Sequence, residues 1–146
     1  MPDNGNPSSP QPEPSSLTAA RRATWLTTFD LHRLDLAVAP LRRLCPSIYL
    51  VGTVMSSPDW RDVDVRMIMA DDEFDAMFAN PLLWEVFCLT ATSWLRSETG
   101  LPIDFQVQRM TEANEKHSGV RNHLSGGRRE YAAQGDGTPY KEAEGA

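Results

Sequence analysis

Residues 49–69 contain the pattern that most limits how this chain can fold. An apolar run ends at a Gly-Thr pair, a short loop follows, and carboxylates then alternate with valines. Side chains on a strand point to opposite faces with a period of two, so Asp62, Asp64 and Arg66 share one face. The other face carries only valine and methionine. The pattern predicts two strands, the second with one charged face and one core face.

A later stretch, residues 101–108, repeats this two-faced pattern. Asp104, Gln106 and Gln108 alternate there with apolar side chains. Neighbouring carboxylates such as those of the first stretch repel each other unless a cation lies between them, and a hard divalent ion with oxygen ligands is the usual solution. The two stretches together predict a metal site to which Asp104 contributes a third carboxylate.

The predicted elements follow the order helix, strand, strand, helix, helix and strand. The first helix begins at Thr28 and ends or kinks at Pro40. Four apolar residues in a row, Ile48–Val51, are typical of a strand in the interior of a sheet. This order predicts an α/β (α+β) fold: a small mixed β-sheet with helices packed on one face and an open catalytic face.

Two helices are predicted between the two charged strands. Asp71 or Asp72 is expected to cap a short helix, and Asn80 and Pro81 begin a longer one that Gly100 ends. Large apolar side chains occur around much of the longer helix, so we expect it to be well buried across the back of the sheet. These side chains are Leu83, Trp84, Phe87, Leu89, Trp94 and Leu95.

The two ends of the chain have the composition of disordered segments. Residues 1–22 are rich in Pro, Ser and Asn and are predicted to be a disordered leader. Residues 118–146 are predicted to be a disordered tail, which leaves a folded domain at residues 23–117. Three arginines of the tail could touch RNA or phosphate, although a solvated tail is the expected role; they are Arg121, Arg128 and Arg129.

Charge and cysteine content limit the possible functions. A net charge of -6 argues against a protein that holds duplex DNA by its own phosphate contacts, but it suits a site that meets phosphates through metal ions. Cys45 and Cys88 lack metal-ligand spacing and are predicted to be buried free thiols. No apolar run approaches the roughly 18 residues of a membrane span, so we expect a cytoplasmic protein with no membrane partner.

This arrangement resembles the nucleotidyltransferase fold of the DNA polymerase beta superfamily, especially its minimal one-domain members from bacteria and bacteriophages. That family has an apolar strand ending in Gly-Ser, a loop, an Asp-x-Asp strand and later a lone Asp in an apolar strand. The resemblance covers residues 28–110. It departs from the family at Thr53, where Ser is usual, and in a loop between Thr53 and Asp62 that is shorter than in the antitoxin-like minimal members. We also expect no second domain after this one, which is a third departure.

The resemblance implies a nucleotide-binding site and a reaction. Gly52 and Thr53 would lie under the triphosphate of an NTP, while Asp62, Asp64 and Asp104 would bind two Mg²⁺ or Mn²⁺ ions. Attack of an acceptor hydroxyl on the α-phosphate would transfer a nucleoside monophosphate and release pyrophosphate. The acceptor could be RNA, a protein or a small molecule, and a phage-encoded enzyme would act in the host cytoplasm.

Several site residues have a second interpretation. Asp62 and Asp64 could simply form the polar outer face of an edge strand. The nucleotide-binding candidates Arg61 and Arg66 could neutralise phosphate charge or pair with these carboxylates at rest. Trp60 could stack on a base or fold back on the core.

The two glutamines are also open to two interpretations, and so is the function. Gln106 and Gln108 could bind base or ribose, although a role as outward-facing polar residues is expected. The alternative function is that of a non-catalytic binding protein with this fold, such as an antitoxin-like partner or a nucleotide sensor, acting with a protein partner or as a homodimer.

Overall fold

A computed structural model describes residues 24–116, 119 and 121–125. The helices are α1 (Thr28–Ala37), α2 (Asp71–Met77), α3 (Pro81–Thr99) and α4 (Met110–Lys116). The strands are β1 (Ile48–Val51), β2 (Val63–Met69), β3 (Ile103–Arg109) and β4 (Asn122–His123), and 3₁₀ turns lie at Leu41–Arg43 and Thr53–Met55. The predicted leader, residues 1–22, and residues 126–146 of the predicted tail lie outside the described residues.

The four strands form one open mixed sheet in the order β3-β2-β1-β4. β2 and β3 run parallel, whereas β1 is antiparallel to both β2 and β4. The predicted α/β (α+β) fold with a small mixed sheet is confirmed. β1 lies inside the sheet, as its apolar run predicted.

The register of the sheet sets the charged residues of β2 and β3 side by side. Asp64 is paired with Asp104 on β3 and with Val51 on β1. Two residues further on, Arg66 is paired with Gln106. Because paired residues project from the same face of a sheet, these side chains share one face, as the alternation in both strands predicted.

The opposite face of the sheet is apolar and packs against α1 and α3. Burial of these side chains is the main stabilising contribution to the fold, at about 25 cal/mol for each Å² of apolar surface removed from water. The fully buried residues of this core include Ile48, Leu50, Val63, Val65, Met67, Ile103, Phe105 and Val107 of the strands, Leu34 of α1 and Leu95 of α3.

The short helix α4 covers part of the charged face. It contacts β2 and β3, and its residue Ala113 is fully buried. Ile68 and Gln108, which lie on this face, are only 3% and 4% exposed. The opening of the charged face therefore lies at the end of β2 and β3 that carries Asp64 and Asp104.

Helix α3 has the predicted ends but not the predicted burial. The side chain of Asn80 accepts a hydrogen bond from the N–H of Leu82, Pro81 is the first helical residue, and Gly100 ends the helix at φ 68°. The expectation that the helix is buried around much of its surface is wrong, because only one face of it meets the sheet and α1. Its exposed large apolar side chains are Leu82, Leu83, Val86, Leu89 and Trp94.

Two further boundaries differ from the predictions. Ala70, and neither Asp71 nor Asp72, is the N-cap of α2, since the Asp71 carboxylate accepts hydrogen bonds from Thr111 of α4 instead. The predicted end of the domain at residue 117 falls before the last strand: β4 pairs with β1, and Leu124 is fully buried. Within the described ranges, no helix is both long and apolar enough to cross a membrane.

Candidate functional site

The turn after β1 depends on a glycine. Gly52 has φ 80° and ψ -160°, a backbone conformation that is essentially restricted to glycine. A Cβ atom at this position would lie 2.2 Å from Oδ2 of Asp64. The missing side chain therefore leaves room for the Asp64 carboxylate, which packs directly against the turn.

An open cleft of about 310 Å³ lies beside this turn. It is lined by Thr53, Asp59, Arg61, Asp62 and Asp64. Four of these five residues were predicted site residues, and the structure brings them together. Asp59 was missed, although its place in the loop between the turn and the charged strand was a usable signal.

Arg66 lies between two of the predicted carboxylates. Its Nη2 donates to Oδ1 of Asp64 at 3.2 Å and to Oδ2 of Asp104 at 2.9 Å. Its Nη1 donates to the backbone carbonyl of Asp104 at 2.7 Å. Of the two roles predicted for Arg66, the structure contains the ion pair with the carboxylates.

The two carboxylates differ in their exposure to solvent. The side chain of Asp64 is 26% exposed and that of Asp104 is 42% exposed. Burial raises the pKa of Asp64 above its ordinary value; the Arg66 charge opposes this, while the Asp104 and Asp62 carboxylates add to it. A cation at Asp62 and Asp64 would relieve this unfavourable burial of negative charge.

The predicted triad of metal ligands does not come together as one group. In the described part of the chain, no three His, Cys, Asp or Glu side chains form a group that could hold a metal ion. Asp62 and Asp64 both line the cleft, whereas Asp104 binds Arg66. Carboxylate oxygens such as those of Asp62 and Asp64 are the type of ligand that hard divalent ions, for example Mg²⁺ or Mn²⁺, prefer.

The remaining candidates lie outside the cleft. Gln106 is half-buried, and Gln108 is buried with an Oε1 atom that accepts no hydrogen bond from the described residues. Trp60 packs against the core, which was the alternative to stacking on a base. Cys45 and Cys88 are buried free thiols, as predicted, and burial raises the pKa of each.

Neither the family models, nor the curated proteins, nor the solved structures with which the chain was compared give a match.

Proposed function

We propose that this protein is a metal-dependent nucleotidyltransferase that transfers a nucleoside monophosphate from an NTP to an acceptor hydroxyl. One observation carries the proposal: the Asp64 carboxylate fills the space that a side chain would need at Gly52. A turn suited to phosphates and a carboxylate suited to a metal ion thus border a single cleft. We expect the reaction to occur in the cytoplasm, on an RNA, protein or small-molecule acceptor.

The residues of the cleft have complementary roles in binding an NTP. Gly52 lets the backbone approach the triphosphate, and the Thr53 hydroxyl donates a hydrogen bond to a phosphate oxygen. Arg61, an exposed residue that lines the cleft, neutralises phosphate charge. Asp62 and Asp64 hold the divalent ion, which when bound stabilises the charge that develops on the phosphate oxygens.

Asp104 is the group that accepts a proton in this proposal. Its side chain is the more exposed of the two that contact Arg66, and it is paired with Asp64 across the sheet. The acceptor oxygen forms a bond to the α-phosphorus, and its proton passes to Asp104. The bond between the α-phosphorus and the oxygen that bridges to the β-phosphate breaks, which releases pyrophosphate.

Nucleotide binding is tested by thermal unfolding of the full chain with each NTP, with and without Mg²⁺ or Mn²⁺. A ligand at about 100 times its Kd stabilises a protein by roughly 2.7 kcal/mol, which shifts the melting temperature by several degrees in a domain of this size. We expect a shift that requires metal and that Asp62→Asn/Asp64→Asn abolishes. Asp72→Asn is the matched control, because it removes an exposed carboxylate from outside the cleft.

Transfer is tested by the release of pyrophosphate from each NTP in the presence of total RNA, and by labelling of the protein with α-phosphate-labelled NTP. We expect Asp64→Asn to abolish transfer and Asp72→Asn to retain it. Equal transfer by Asp64→Asn and the wild-type protein would exclude the proposed site.

A second candidate function is supported by the position of Arg66. Its contacts with Asp64 and Asp104 resemble a resting ion pair, which favours a non-catalytic protein that binds a nucleotide as a sensor or with a protein partner. Such a protein would show the metal-dependent thermal shift but release no pyrophosphate with any acceptor. The two measurements together therefore separate the candidates.

A further inference from the structure

Arg66 is a buried cation held by four acceptors. Besides its bonds to the carboxylates of Asp64 and Asp104, its Nη1 donates to the carbonyl oxygens of Val65 and Asp104 at 3.0 and 2.7 Å. Only 8% of its side chain is exposed, and its buried Nε donates to none of the described residues. Separating a buried charge from its partners is strongly unfavourable, so these bonds hold the guanidinium in a fixed position within the sheet.

The two carboxylate oxygens of Asp64 face different neighbours. Oδ1 accepts a hydrogen bond from Arg66, whereas Oδ2 lies against Gly52, at the turn that borders the cleft. Asp62 lines the same cleft. Both aspartates line the cleft, and Oδ2 is the oxygen of Asp64 that Arg66 does not bind.

We propose that the site takes a single divalent cation, at Asp62 and Oδ2 of Asp64, and that Arg66 supplies the second positive charge. The inference rests on the proposed function, because that function identifies the ligand of Asp62 and Asp64 as a divalent metal ion. A centre with two ions needs carboxylates that bridge or complete both coordination shells. Asp104, which the resemblance implies as a ligand of the two ions, is bound to Arg66 instead.

A guanidinium differs from a metal ion in what it can do at this position. It neutralises Asp104, but its N–H groups are already bonded within the sheet or buried, and it has no vacant coordination position for an attacking oxygen. Deprotonation of an acceptor would then depend on Asp104 without help from a second ion. We therefore expect a second ion to bind only when Arg66 is replaced.

The number of bound ions tests this inference directly. Mn²⁺ is titrated into the full chain without nucleotide, and free Mn²⁺ is followed by electron paramagnetic resonance. We expect one ion per chain in the wild-type protein, loss of that ion in Asp62→Asn, and its retention in Asp104→Asn. Arg66→Gln should gain a second ion, because it frees Asp104 and Oδ1 of Asp64.

Arg61→Gln is the matched control for Arg66→Gln. It removes an arginine that lines the cleft but makes no ion pair with a described residue, so the count should stay at one ion. Two ions in the wild-type protein, none at all, or loss of the ion in Asp104→Asn would overturn the inference. So would a folded Arg66→Gln protein, verified by circular dichroism, that gains no ion.

The inference and the proposed function fail in different ways. One Mn²⁺ per chain with the expected behaviour of the variants supports the inference even if no NTP causes a thermal shift or releases pyrophosphate. Two ions in an active enzyme would overturn the inference and leave the proposed function standing. The wild-type and Asp104→Asn titrations decide the matter if Arg66→Gln does not fold.

Discussion

The two faces of the sheet are built on different physical principles. The face toward α1 and α3 is apolar and closely covered, and its stability comes from side chains removed from water. The other face holds a buried arginine, a buried glutamine and two partly exposed carboxylates, and the short helix α4 covers part of it. The first face stabilises the fold, whereas the second holds charged and polar groups whose removal from water is unfavourable.

The largest loss of stability should come from Phe105 on the apolar face of β3, and its neighbour Gln106 on the charged face gives the comparison. Phe105→Ala removes a side chain that is 1% exposed and should lower the free energy of unfolding by about 3–5 kcal/mol. Gln106→Ala changes a half-buried side chain of the charged face and should alter it by less than about 0.5 kcal/mol. Urea denaturation measures both, and similar losses would contradict the distinction between the faces.

A smaller loss is expected at Gly52, where the charged face meets the turn. Gly52→Ala should cost about 2–3 kcal/mol, because the backbone is strained for alanine and the new Cβ would clash with the Asp64 carboxylate. Gly100 also has a positive φ but nothing within 4 Å of an added Cβ, so Gly100→Ala should cost only about 1 kcal/mol. Equal losses in urea denaturation would mean that the clash is relieved by movement of Asp64.

The charged face should also offer a site where stability can be gained. Gln108→Met replaces a buried amide, whose Oε1 accepts no hydrogen bond from the described residues, with an apolar side chain of similar length. We expect a gain of about 1 kcal/mol in the free energy of unfolding, because a buried polar group without a partner is unfavourable. A loss would show that a water molecule, or a residue beyond those described, binds Oε1.

The smallest effect concerns the contact that ties α4 to α2. The pKa of Asp71 is lowered, mainly by the hydrogen bond from the Thr111 hydroxyl and then by the Thr111 N–H. A lowered pKa stabilises the fold above the unfolded-state value, about pH 3.9, and this contribution disappears as the pH falls through the folded-state value. The melting temperature of Asp71→Ala should therefore lie below that of the wild-type protein at pH 7, and the difference should shrink below about pH 4.

Asp72→Ala is the control for this pH dependence. Asp72 is an exposed neighbour on α2 and accepts no hydrogen bond from the described residues. The melting temperatures of Asp71→Ala and the wild-type protein could instead differ by the same amount from pH 7 to about pH 3. That result would show that the Thr111 contact does not act through the charge of Asp71.

Local sequence patterns predicted where helices begin and end, whereas tertiary contacts decided which of their faces are buried. The cap of Asn80 and the stop at Gly100 predicted the ends of α3, because these signals act within one helical turn. Its exposed residues Leu83 and Leu89 could not be identified from the sequence, since apolar composition does not reveal which faces have neighbours. β4 was missed for a related reason: two residues form a strand only because β1 offers a free edge.

The sequence by itself determined the two-faced strands and the residues on the charged face, because alternation along a strand is a local property. The predicted site residues Thr53, Arg61, Asp62 and Asp64 line one cleft, which their closeness in the chain favours. Only the tertiary structure decided that Arg66 binds Asp104. Those residues are 38 positions apart, and they meet because β2 and β3 pair in parallel in one particular register.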